Sequence, residues 1–253
     1  HKQIATDKIC HLVLSGGRSV SEVLQRIDPG RVDWEKVIIS LTDERCLPIG
    51  NSERNDQMIH FSLFPRINSR LPKFLTIPAE LGPTLGADQY CRDLFQMRSP
   101  DIVLLGVGSD GHVASIFPSN HDSESSEIAI PITESPKSPE SRVSLTLRYL
   151  HSAPRRMAIL TGKDKRTLFA RLCRGQLLPV IDFEPTDWYL DINATSGLVT
   201  GDYGDNLNEN CNSLWRFWNT NQGRYGRSSK TNDPNRTSTN FMAPDEILRF
   251  IWA

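Results

Sequence analysis

Short apolar runs alternate with helix-length amphipathic stretches along the first 195 residues. Cys10–Leu14 is a compact apolar run that stops at Ser15-Gly16-Gly17, which predicts a strand followed by a turn. Residues 19–27 then place Val20, Val23, Leu24 and Ile27 on one side of a 3.6-residue period, the pattern of an amphipathic helix. Val37–Leu41, 74–77, 143–147 and 157–160 read as further strands, and Asn55–Leu63 can form a helix. Residues 85–97 read as a helix carrying Leu85, Tyr90, Leu94 and Met97, and residues 163–172 as one carrying Leu168, Phe169 and Leu172. Residues 102–105 are apolar without a break up to Gly106, as expected of a central parallel strand buried on both faces. The alternation predicts an α/β fold with a mostly parallel sheet flanked by helices. Ligands of such sheets bind at the carboxyl ends of the strands, so the loops after Leu14, Leu41 and Leu105 are where chemistry is expected.

Three stretches depart from this pattern. Residues 119–127 and 135–141 are rich in Ser, Pro and Glu and read as mobile surface loops. Residues 196–253 hold nine asparagines (206, 208, 210, 212, 219, 221, 232, 235 and 240) and lack sustained periodicity before 244–252. The chain therefore divides into an α/β domain over 1–195 and a polar tail over 196–253, read as poorly ordered although Trp215, Trp218 and Trp252 could dock. The tail, with 19 apolar residues in 58, slightly dilutes an apolar content of 38% over the whole chain.

Charge narrows the partners. Lys and Arg number 29 against 30 Asp and Glu, which argues against a nucleic-acid or membrane surface spread over the molecule but allows a local basic pocket. No apolar run approaches the roughly 18–20 residues that span a bilayer. Cys10, Cys46, Cys91, Cys173 and Cys211 are odd in number and widely spaced, which predicts reduced thiols in a cytoplasmic protein rather than disulfides or a zinc site. His11, His60, His121 and His151 show no metal-ligand spacing. The chain opens on His1 without a leader pattern and reads as a fragment or a processed form.

Each of the three loops has an ordinary reading beside a functional one. Ser15-Gly16-Gly17-Arg18-Ser19 joins a strand to a helix, where glycines let backbone N–H groups turn to an anion; taken alone it is more often a tight turn. Thr42-Asp43-Glu44-Arg45 offers Arg45 for bidentate contact with an anion, or forms a surface salt-bridge cluster. The third loop, Gly106-Val107-Gly108-Ser109-Asp110-Gly111-His112, delivers an Asp and a His to the end of the buried run. Histidine is the side chain best suited to proton transfer near neutral pH, and this loop favours function over a structural role. Arg142, Lys163, Lys165 and Arg166 recur at the ends of later elements and suggest a shared anion site. The residues by themselves indicate an α/β enzyme with a phosphate-bearing ligand and a His able to act as acid or base.

At these loops the chain resembles the 6-phosphogluconolactonase family. Leu14-Ser15-Gly16-Gly17 is similar to its first phosphate loop, and Asp43-Glu44-Arg45 with Leu47-Pro48 and Asn55 to its D-E-R-x-V-P…S-N segment, with Arg54 where the family has Ser. Residues 106–118 resemble its G-x-G-x-D-G-H-T-A-S-L-F-P signature. Arg142-Val143-Ser144-Leu145-Thr146, the turn over 162–165, and Trp188-Tyr189-Leu190-Asp191 with Ala194 follow in the family's order. The matches run from about Cys10 to about Ala194.

The resemblance implies a Rossmann-like sheet of the sugar-phosphate isomerase type and hydrolysis of 6-phospho-D-glucono-1,5-lactone in the oxidative pentose phosphate pathway, with no metal or organic cofactor. It implies His112 as general base, with Asp110 and Asp43 in the catalytic group. Ser15, Gly16, Gly17, Arg18, Arg45, Arg142 and Lys165 would line the sugar-phosphate site. It also implies a fusion or functional link to glucose-6-phosphate dehydrogenase, and a chain that lacks the family's first helix. Glucosamine-6-phosphate deaminases share the G-x-G-x-D-G-H start but continue into an F-N-E-P-like segment, where this chain reads Ala114-Ser115-Ile116-Phe117-Pro118. A truncated, non-catalytic sugar-phosphate binder is the other alternative.

Overall fold

The computed structural model describes residues 9–119 and 125–195. The readings made for the chain start, for residues 120–124 and for the 196–253 tail lie outside these residues. Six strands form the main sheet: β1 (Cys10–Leu14), β2 (Val37–Leu41), β4 (Lys73–Leu75), β5 (Ile102–Gly106), β8 (Arg155–Leu160) and β9 (Asp187–Leu190). Their order is β4-β2-β1-β5-β8-β9 and every pairing is parallel. From β1 the chain builds outward first to one side and later to the other. The point where that direction reverses lies between β1 and β5, where a crevice opens at the carboxyl ends.

The apolar runs form strands because both faces are covered. Val13, Leu14, Ile39, Leu41, Val103 and Leu105 are fully buried. The helix α1 (Arg18–Arg26) buries Val20 and Leu24, with Ile27 buried just beyond it and Val23 packed against the core, as its period predicts. In α5 (Arg166–Cys173), Leu168, Phe169 and Leu172 face inward, while residues 163–165 form a short 3-10 turn rather than the helix start expected. The helix α3 (Pro83–Phe95) buries Gly86, Ala87, Tyr90 and Leu94, and Leu85 falls off this stripe into solvent. The Tyr90 hydroxyl closes the end of β2, accepting from Leu41 N at 3.0 Å and donating to Leu41 O at 2.8 Å.

A second sheet is antiparallel, in the order β3-β7-β6, from β3 (Asp43–Arg45), β6 (Ala129–Ile132) and β7 (Arg142–Leu145). Thr42 is the crossing point: its N–H donates to Leu14 O in the main sheet, and its carbonyl accepts from Leu145 N of the small one. The strand expected over 143–147 ends at Leu145, because Thr146 caps α4 (Leu147–His151) by accepting the Tyr149 N–H on its side chain. The Asp-Glu-Arg run is thus an interior strand, with Asp43 and Glu44 buried, and not a surface salt-bridge cluster.

Candidate active site

The loop after β5 is shaped by glycines. Gly108 N donates to His112 O at 2.9 Å and Gly111 N to Gly108 O at 3.0 Å, which folds residues 108–112 into a tight turn. A Cβ on Gly108 would overlap the His112 ring, so only glycine lets the imidazole fold back over the loop. The chain then doubles over between Val113 and Ile116, with Ala114 at φ 51°, a left-handed conformation that alanine holds only under tertiary constraint. Ser115 supplies that constraint: its hydroxyl donates to Asp43 Oδ2 at 2.7 Å and its N–H to Ser144 Oγ at 3.2 Å.

His112 Nδ1 lies 2.5 Å from Asp110 Oδ1, and its ring packs 4.6 Å from the ring of buried Phe117. An ionised carboxylate accepts only, so Nδ1 carries the proton in this pair and the lone pair of a neutral ring sits on Nε2. Burial pushes the Asp110 carboxyl up, but the bonds and charges of His112 and Lys137 outweigh it and hold the carboxyl far below the usual carboxylate range. Nε2 has no hydrogen-bond partner among the described residues.

Beside this pair, Ser15 Oγ accepts from Gly106 N at 2.9 Å, which joins the loop after β1 to the end of β5. Gly17 caps α1 at φ 97° with no side-chain hydrogen bond to the helix, so the first N–H groups of α1 point toward the loop. Such a terminus suits an anion. Gly16 leaves room for the Asn55 side chain, which donates to Asp43 O at 2.9 Å.

The third loop follows β8. Gly162 N is held by the Asp191 carboxylate at 3.1 Å, and Ser19 Oγ meets Thr161 Oγ1 at 2.6 Å. Arg18 reaches Asp164 at 2.8 Å, and Lys165 lies 3.6 Å from the same carboxylate. Burial lowers the Lys165 ammonium, Asp164 opposes this, and Lys137 pushes the same way as burial. Arg18, Lys137 and Lys165 are therefore electrostatic neighbours at one end of the sheet.

The expected site residues fall into two groups. Ser15, Gly16, Gly17, Arg18, Asp110, His112 and Lys165 lie on the adjacent loops after β1, β5 and β8. Asp43, Arg45 and Arg142 belong to the small sheet, where Arg45 and Arg142 are cross-strand partners. Asp43 turns to Ser115 and Thr42 Oγ1. Arg45 Nη1 donates to Glu53 O, and its buried Nε has no partner among the described residues. Arg142 is buried, with Nε donating to Pro139 O at 3.0 Å and Nη2 to Lys137 O and Ser138 O.

Two features were not foreseen. Residues 135–141, read as a surface loop, bring Lys137 Nζ to 3.0 Å from Asp110 Oδ2; a lysine among prolines and serines carries no sign of this. Arg54 is buried against Asp56 at 2.8 Å and Glu80 at 3.2 Å, and Glu44 takes the N–H groups of Asn55 and Asp56 at the start of α2 (Asn55–Leu63). Burial pushes the Glu44 carboxyl up to about 7 against the pull of those N–H groups. Among the described residues, no cluster of three or more His, Cys, Asp or Glu side chains forms a metal site, and no helix is long and apolar enough to cross a membrane.

Comparison with known proteins agrees with this architecture. Human 6-phosphogluconolactonase is 31% identical over 209 residues, covering 75% of this chain and 80% of that protein. The rabbit GDH/6PGL endoplasmic bifunctional protein is 31% identical over 206 residues, and the chain spans only 26% of its length. The crystal structure of 6-phosphogluconolactonase from Thermotoga maritima superposes with a TM-score of 0.66 at 25% identity, covering 73% of this chain and 86% of that one. The family model described as glucosamine-6-phosphate isomerases/6-phosphogluconolactonase matches residues 1–188, and the chain belongs to that family.

Proposed function

We propose that this chain hydrolyses 6-phospho-D-glucono-1,5-lactone to 6-phosphogluconate, the lactonase step of the oxidative pentose phosphate pathway. The observation that carries the reading is the Asp110–His112 pair, 2.5 Å apart, beside the N-terminus of α1, which no capping side chain occupies, at the switch point of the sheet. The phosphate lies against the Gly16–Gly17 turn with Arg18 and Lys165, and the lactone carbonyl carbon faces His112. His112 Nε2 takes a proton from water as the oxygen of that water bonds to the carbonyl carbon. Nearby cations stabilise the charge that develops on the carbonyl oxygen. Collapse of the tetrahedral species breaks the bond to the ring oxygen, which recovers the proton from His112, and the product acid ionises. Asp43 acts through Ser115 to hold the turn that follows His112. Residues 1–195 form the catalytic unit, and the functional link is to glucose-6-phosphate dehydrogenase, whose reaction supplies the lactone.

The test generates the lactone in situ from glucose 6-phosphate and follows hydrolysis above the spontaneous rate. His112→Ala is expected to lower kcat by roughly 10²–10⁴-fold. Unchanged activity in that variant would sink the base assignment. A folded wild type that binds 6-phosphogluconate without turnover would be a binding protein, and release of ammonia from glucosamine 6-phosphate would move the assignment to the isomerase side of the family.

A further inference from the structure

We propose that Lys137 is a positioning residue for the His112 base, presented by a segment that Arg142 latches. The proposal rests on the lactonase reading and adds a member to its catalytic group. Lys137 Nζ lies 3.0 Å from Asp110 Oδ2 and 3.1 Å from His112 Nδ1, while the imidazole occupies the other carboxylate oxygen. Both oxygens of Asp110 are thereby taken by donors. Asp110 stands on a glycine-rich turn with its side chain about one-third exposed, so a single bond to the ring would leave the carboxylate free to swing toward solvent. The second, charge-assisted bond fixes its rotation. With Asp110 fixed, Nδ1–H is held and Nε2 keeps one direction toward the substrate. The charges agree with this role. When His112 takes the proton of water, the imidazolium, Asp110 and Lys137 together carry one net positive charge, placed beside the anion forming on the lactone.

The segment is built to hold that ammonium still. Ser135 is buried; its hydroxyl donates to Lys137 O at 2.9 Å, and its N–H donates to Glu140 O at 3.1 Å. Pro136 and Pro139 flank the turn and restrict its backbone. Arg142 donates to the carbonyls of Lys137, Ser138 and Pro139 and lies 5.8 Å from the Phe117 ring, which also packs against His112 and lies 5.9 Å from Lys137 Nζ. These bonds give Arg142 work within the protein, so its effect on turnover runs through Lys137.

The test is a double-mutant cycle in the full chain, with Lys137→Met, Asp110→Asn and the pair, each checked by thermal melting. Lys137→Met is expected to lower kcat on the order of 10–100-fold with KM changed less than about threefold. Adding it to Asp110→Asn is expected to change kcat by less than about threefold, because the two act as one unit. Lys137→Arg, which keeps a donor for Oδ2, is expected to recover part of the loss and guards against a folding defect in the Met variant. A rise in KM at constant kcat would make Lys137 a substrate-binding cation and overturn the proposal, as would full additivity in the cycle. Normal activity in Lys137→Met alongside an inactive His112→Ala overturns the role of Lys137 and leaves the lactonase reading standing. An active His112→Ala overturns the reading beneath it.

Discussion

Arg54 threads a guanidinium into the interior, where it meets Asp56 at 2.8 Å, Glu80 at 3.2 Å, Glu44 at 4.0 Å and the carbonyls of Leu47 and Ile77. One side chain thus ties β3, the start of α2 and the chain before α3 into a single block under the site. Removing one partner of a buried ion pair costs more than the pair contributes, because the remaining charges lose their compensation. Arg54→Met is expected to destabilise the protein by about 3–5 kcal/mol, read as a lower urea midpoint at unchanged slope. A loss under about 1 kcal/mol would show the cluster to be replaceable. Nothing local to Arg54 reveals this, since Glu53-Arg54-Asn55-Asp56 is a short run of charged and polar residues at the start of a helix. Its partners Glu44 and Glu80 come from elsewhere in the chain.

The elements differ in how far their own residues specify them. The strands β1, β2 and β5 are mostly apolar runs, broken only by His11 and Ser40 in the first two, and were legible at once, as was the inward face of α1. The strand β3 was not, because Asp-Glu-Arg has no strand preference of its own; it is a strand because it pairs with β7 and follows β2 across Thr42. The loop after β5 is intermediate. Its glycines announce a turn, but what each one clears is a tertiary matter. Gly108→Ala is expected to keep the fold, read by circular dichroism, and to lower kcat about 10²-fold by displacing the His112 ring. Wild-type turnover in that variant would show that the ring can relax without loss.

Stability against pH belongs to the whole molecule, because it sums groups that lie far apart. Asp110 is held below its unfolded value of 3.8, so its contribution is present above that value and is lost as pH falls toward the folded one. Glu44 runs the other way: its folded value of about 7 lies above 4.5, so its contribution is present below 4.5 and is lost as pH rises through 7. Melting temperature followed against pH is expected to show a shallower acid limb in Asp110→Asn and a shallower fall between pH 4.5 and 7 in Glu44→Gln. Slopes unchanged from wild type would remove these carboxyls as the cause. At this scale the amino-acid sequence determined the parallel α/β core, the order of its loops and the Asp110–His112 pair, because apolar runs and short-range turns depend on residues near one another in the chain. Only the tertiary structure decided the second sheet, the buried Glu44–Arg54 block and the approach of Lys137 to Asp110. None of these joins chain neighbours: the second sheet and the Glu44–Arg54 block are stable where the core excludes water, and the partly exposed Lys137–Asp110 contact exists only because the fold brings the two segments together.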